Sequence, residues 1–164
     1  SLAIPWQWYI HTSYCAARNG HTHVLQWLWD KQIQCNWNDS AVAAAQGGHL
    51  HIIQWLRAQV PPHYWSSTVC FYAAKGNHLE MLKWLRSQDP PCPWGVSTCS
   101  AAAGEGHIEV LRWLRAQNPP CPWEAAICWA AAYDGGSVAV QQFLRDQQLP
   151  SPSITTIEDH NNLE

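Results

Sequence analysis

Seven cysteines and nine histidines hold most of the reactive chemistry in this 164-residue chain. Thiols and imidazoles bind metals and act as nucleophiles or bases, but only at suitable spacing. Cys92 and Cys99 are seven residues apart, as are Cys121 and Cys128. Zinc knuckles place their cysteines about two to four residues apart, so no metal is expected. Catalysis finds no foothold either. The chain has no glycine-rich phosphate loop, no nucleophile elbow and no His-Glu-x-x-His. Its carboxylates, such as Asp134, Asp146, Glu158 and Asp159, pair with no recurring base. A non-enzymatic protein without a cofactor is expected.

The cysteines and histidines do recur, and so do the residues around them. Trp27, Trp55, Trp84 and Trp113 are spaced 28, 29 and 29, and Trp37, Trp65, Trp94 and Trp123 follow the same steps. These two columns take eight of the 12 tryptophans. His21, His49, His78 and His107 precede the first column by six residues, and an Ala-Ala pair precedes each histidine. Cys70, Cys99 and Cys128 make one cysteine column; Cys35, Cys92 and Cys121 make another, interrupted at His63. A last unit, Val138 to Gln147, carries Phe143 in place of tryptophan.

One unit shows what positions these residues. Val96 to Ala103 is small and alanine-rich, which suits a helix packed close to its neighbours. Gly104-Glu105-Gly106 ends it, because glycine takes the left-handed backbone of helix C-termini. Ile108 to Gln117 is a second helix whose apolar stripe repeats near 3.6 residues. Asn118-Pro119-Pro120-Cys121-Pro122 admits no helix, since proline lacks the donor and restricts its predecessor. Stacked helix-turn-helix units of this kind make an α-solenoid.

The string Ala102-Ala103-Gly104-Glu105-Gly106-His107-Ile108-Glu109-Val110-Leu111 closely resembles the core of the ankyrin repeat, and Ala73 to Leu82 repeats it. The resemblance runs over about residues 8 to 149. Two departures stand out: a period of about 29 residues instead of 33, and Ser97-Thr98-Cys99-Ser100 in place of Thr-Pro-Leu-His. The string from Trp113 to Trp123 looks like a tryptophan-rich ankyrin variant that occurs in long arrays in algae, other protists and large DNA viruses. The shortening falls on the β-hairpin finger. The resemblance therefore implies an all-α, ankyrin-like α-solenoid with shortened proline-rich loops instead of fingers. Residues 1–149 are expected to form the array, with about five units, and residues 150–164 a polar tail or partial cap.

Within that frame most recurring residues read as structure. Each helical tryptophan can bury about 150–250 Å², an upper estimate of roughly 4–6 kcal/mol. Equivalent tryptophans are expected to stack repeat on repeat, and each loop tryptophan to pack on the start of the next helix. Equivalent cysteines lie about one helix-packing distance apart, beyond the roughly 7 Å limit for a disulfide. They read as buried free thiols in a reducing compartment, cytoplasmic or nuclear. Cys99 aligns with the family's buried leucine. The histidine column sits where the helix dipole disfavours imidazolium and is expected to bond the turn backbone. Arg57, Arg86, Arg115 and Arg145 end each second helix, where cations bond free carbonyls. One alternative is a haem or light sensor, because Cys92-Pro93 and Cys121-Pro122 resemble the short motif of some haem-regulated proteins. Another is a passive spacer for a further domain.

Composition narrows the partner. A net charge of −3 argues against nucleic acid, whose binders carry a basic excess. No apolar run reaches the roughly 18 residues that a membrane helix needs. A monomer that binds a protein or peptide is expected. Function then lies at positions that vary between repeats: Phe71, Tyr72, Lys75, Ser100, Glu105, Trp129, Tyr133 and Asp134. By resemblance these line the concave face where ankyrin arrays grip partners, and aromatic anchors dominate such interfaces. The absent initial Met and the final Leu-Glu suggest a fragment or a tagged chain.

Overall fold

The structure, a computed structural model, describes residues 6–59 and 65–147. They form ten helices: α1 (Trp6–Arg18), α2 (Thr22–Asp30), α3 (Trp37–Gly47), α4 (Leu50–Arg57), α5 (Ser67–Lys75), α6 (Leu79–Arg86), α7 (Val96–Gly104), α8 (Ile108–Ala116), α9 (Ala125–Asp134) and α10 (Val138–Asp146). No strand occurs among the described residues. The all-α expectation holds, because loops this short cannot form fingers. The expected tail, residues 150–164, lies outside the described residues.

The helices form two layers. The first helices of each pair lie side by side, α1 on α3, α3 on α5, α5 on α7 and α7 on α9. Alanine makes this possible. Ala44, Ala45, Ala73, Ala74, Ala102 and Ala103 are all 0% exposed, and a methyl side chain lets neighbouring backbones approach. The second helices present the bulky side of the core, with Ile52, Ile53, Leu82, Leu85, Leu111 and Leu114 buried against the first layer. Each second helix packs on its own first helix.

The turn inside a unit requires a left-handed residue. Gly20, Gly48 and Gly106 supply it at φ +80°, +77° and +77°; Asn77 supplies it at φ +61°. Glycine serves a second purpose at Gly48. A Cβ there would meet the His78 ring of the next unit at 2.6 Å.

The repeated Trp-Leu-Arg-x-Gln string closes each unit atom by atom. Gln59, Gln88 and Gln117 donate through Nε2 to the carbonyls of Trp55, Trp84 and Trp113 at 2.7, 3.0 and 3.0 Å. These bonds give carbonyls of the last helical turn a side-chain donor. The next loop is pinned by Cys92 N–H on Leu85 O and Cys121 N–H on Leu114 O, both 3.0 Å. Asp89–Pro90 and Asn118–Pro119 are cis.

Among the described residues the tryptophans do not form the expected ladder of equivalents. Each loop indole meets the helical ring of its own unit edge to face: Trp65 on Trp84 at 6.4 Å, Trp94 on Trp113 at 6.0 Å, Trp123 on Phe143 at 6.5 Å. In the first such unit Trp29 joins Trp37 and Trp55, making a three-indole cluster. The reason is geometric. An indole's positive edge favours a neighbour's negative face, and the returning loop brings a ring closer than the next repeat does. Trp55, Trp84 and Trp113 are half-buried at the core's flank, whereas Trp27 is 52% exposed.

Candidate partner-binding face

The first-helix layer ends in a row of side chains that differ from unit to unit. On α1, Tyr14 Oη donates to Gln46 Oε1 of α3 at 2.8 Å. Arg18 Nη1 donates to the same oxygen at 2.5 Å. The guanidinium is thus held toward the next unit, and it makes no ion pair with a carboxylate among the described residues. Arg18, Gln46, Tyr72, Lys75 and Gly76 line a cleft of about 270 Å³. Lys75 of α5 also reaches Glu105, just past α7, at 3.6 Å, with both side chains about half exposed. Tyr133, 45% exposed, and Asp134 end α9.

The predicted residues divide accordingly. Tyr72, Lys75, Glu105, Tyr133 and Asp134 are open or partly open to solvent on this row. Phe71 is half-buried, its ring 4.9 Å from that of Tyr72. Ser100 is half-buried and spends its hydroxyl on Ser97 O at 3.1 Å. Trp129 corrects the expectation of an exposed aromatic: it is 0% exposed, with the Tyr133 ring at 5.8 Å and the Arg145 guanidinium at 5.7 Å. Small neighbours in the alanine layer leave a space that an indole fills. Arg18, Gln46 and Tyr14 belong to the same row, and the sequence reading missed them. Counting one place on from each Ala-Ala pair gives Arg18, Gln46 and Lys75 directly.

The recurring residues are structural, by contacts that spacing alone does not reveal. His49 Nε2 lies 3.0 Å from Arg18 O, and His107 Nε2 lies 2.9 Å from Lys75 O. The column therefore bonds the preceding unit, not its own turn. His78 takes the same place, but its Nε2 is buried without completing that bond. Burial holds its pKa below the usual histidine value, opposed in part by the Gln46 backbone.

Arg86 and Arg115 likewise serve the loop, not their own helix ends. Arg86 Nη1 donates to Cys92 O at 2.6 Å and Arg115 Nη1 to Cys121 O at 2.7 Å. Their guanidiniums stack 3.9 Å from the Trp94 ring and 4.2 Å from the Trp123 ring. That combination satisfies the loop carbonyl and covers an aromatic face.

The Cys-Pro thiols turn inward. Cys92 and Cys121 are 0% exposed, which leaves no face for a haem iron. No three metal-ligating side chains converge among the described residues. A larger cleft of about 570 Å³ beside the first loop is walled by Trp29, Ile33, Cys35 and Trp37 with two glutamines. Burial raises the Cys35 thiol there, and its bond with Ser13 offsets this in part.

Helix pairs, an alanine layer and glycine turns answered by the next unit's histidine make one repeating scheme. The family model for ankyrin repeats (many copies) matches residues 41–86, from α3 through α6. Residues 41–86 are thus similar to ankyrin repeats. Ankyrin repeats generally act as protein–protein interaction modules. No curated protein matches the chain. No helix among its described residues is long and apolar enough to cross a membrane.

Proposed function

We propose that this chain is a non-enzymatic ankyrin-repeat scaffold that binds a protein or peptide along its first-helix layer. The row running from Arg18 and Gln46 through Tyr72 and Lys75 to Glu105, Tyr133 and Asp134 carries the reading. These positions vary where the rest of the unit repeats, and their side chains are open while the recurring ones are engaged in core, turn or loop. The first helices pack closely through alanine, and the resemblance to ankyrin arrays reads this layer as the concave side, with the row along it. Tyrosines beside charged groups suit an interface, since aromatic anchors carry much of the binding energy. Residues 1–149 act as one array of about five units, and residues 150–164 as its tail. The chain works as a monomer in a reducing compartment, cytoplasm or nucleus.

Affinity capture from the native cell tests this. The wild type is compared with a Tyr72→Ala, Lys75→Ala, Tyr133→Ala, Asp134→Ala variant. A partner lost by the variant, at an unchanged circular dichroism spectrum and Tm, is the expected outcome. Every captured protein remaining bound to a folded variant would defeat the reading.

A further inference from the structure

The two cysteine columns, too far apart along the chain to suggest a site, come together at two unit boundaries. Cys70 of α5 and Cys92 of the following loop are 22 residues apart, as are Cys99 of α7 and Cys121. Cys70 Sγ lies 4.0 Å from Cys92 O, and Cys92 Sγ lies 3.7 Å from Ser66 O at the start of α5. The second pair repeats this: Cys99 Sγ is 4.0 Å from Cys121 O, and Cys121 Sγ is 3.5 Å from Gly95 O. Each thiol thus faces the backbone that carries its partner, and the partner thiol is the main cause that raises the Cys70 and Cys99 pKa. All four side chains are 0% exposed. The same register places Ser13 against Cys35 in the first unit, where a hydroxyl fills the thiol's position.

We propose that Cys70–Cys92 and Cys99–Cys121 are paired modification sites, closed to disulfides by a low-molecular-weight disulfide oxidant and reopened by a thiol. Each bond fastens the first helix of one unit to the loop that opens the next. The chemistry balances. One protein thiolate attacks the oxidant and releases one small thiol. The second protein thiolate then attacks the protein sulfur of that mixed disulfide and releases the other small thiol. The two protein sulfurs give up two electrons, the oxidant gains them, and the two protons end on the small thiols. Cys121 is the better leading nucleophile of its pair. The neighbouring Cys99 thiol and the Arg115 guanidinium hold its pKa below the usual value, with burial opposing them in part. Access comes through the loop, whose Pro91, Pro93, Pro120 and Pro122 are exposed; local opening of such a segment admits a small oxidant without global unfolding.

The full chain is incubated with oxidised glutathione, with and without sub-denaturing urea to open the loops, and remaining thiols are alkylated. Digestion with trypsin and chymotrypsin under non-reducing conditions separates the columns, because Trp94 and Trp123 lie between neighbouring cysteines. The expected products are a peptide joining Cys70 to Cys92 and another joining Cys99 to Cys121. The oxidised chain should melt several degrees higher, since a cross-link restricts the unfolded chain, and dithiothreitol should reverse the rise. Cys70→Ser should abolish the first linked peptide and keep the second; Cys99→Ser should do the opposite. Serine at this register matches Ser13, so both variants are expected to fold. Alkylated or glutathionylated Cys70, Cys92, Cys99 and Cys121 after oxidation in urea, or linkage to other cysteines only, would overturn the proposal.

Discussion

Arg115 shows how much one side chain does in this molecule. Its guanidinium satisfies the Cys121 carbonyl at 2.7 Å and covers the Trp123 ring at 4.2 Å. Arg115→Ala takes the charged donor from a loop carbonyl, leaving it only the weak Cys99 thiol, and should cost roughly 1.5–3 kcal/mol. Arg112, 5.8 Å from the Phe143 ring, has no such carbonyl in its contacts, and Arg112→Ala should stay within about 0.5 kcal/mol. Urea unfolding of both variants measures the contrast; equal losses would show that the loop bond contributes nothing. Titration gives a second residue-scale expectation. Burial pushes the Cys128 thiol up to about 11, from an ordinary value of 9.0. Between those values the unfolded chain has released a proton that the folded chain keeps, so stability falls as pH rises from about 9 toward about 11. Cys70 and Cys99 are raised as well, each first by its partner thiol and then by burial, and act in the same direction, while the lowered Cys121 thiol opposes them. His78 acts on the acid side. Its lowered pKa means that the unfolded chain takes the proton first, so stability declines as pH falls below about 6.5. Cys128→Ala should flatten the alkaline limb of a urea-midpoint profile and His78→Gln the acid limb.

At the scale of elements, tryptophan substitutions should follow burial, not column membership. Trp129 is 0% exposed inside α9, and Trp129→Ala should cost about 3–5 kcal/mol. Trp113, half-buried at the flank of the core, should cost less; Trp27, 52% exposed, should cost under about 1 kcal/mol. Equal effects at Trp27 and Trp113 would contradict the edge-to-face packing of loop and helix rings. The turn between α3 and α4 makes a sharper case. Gly48→Ala faces both a left-handed φ of +77° and the His78 ring at 2.6 Å. It should destabilise by more than about 1 kcal/mol. The sequence made these elements legible, because helix, glycine turn and proline loop each follow from local chemistry repeated at a fixed period. The partners of the rings were not legible, since loop and helix tryptophans both recur at 28 or 29 residues and periodicity cannot say which column meets which.

For the whole molecule, the open row and the recurring scaffold separate stability from binding. The Lys75–Glu105 pair is about half exposed on both sides, and exposed pairs contribute about 0–1 kcal/mol. Lys75→Ala should therefore leave Tm nearly unchanged while weakening capture of a partner. A large loss of Tm would place Lys75 in the scaffold instead. Arg18, Gln46 and Tyr72 meet around one cleft although they come from three successive units. Only the stacking of units brings them together.

The sequence alone determined the repeat, its two helices, the all-α class and the ankyrin resemblance. Each rests on local propensity and period, which the chain displays directly. Tertiary structure decided what the recurring polar residues do. Histidine reaches back to the preceding unit, Arg86 and Arg115 reach forward to the next loop, and thiols of one column face the backbone of the other. It also placed Trp129 inside the core and Tyr133 outside, although both vary between repeats on the same helix. The physical reason is common to all of these. A column fixes distance along the chain, but contacts across a unit boundary depend on how closely the alanine layer lets adjacent helices approach.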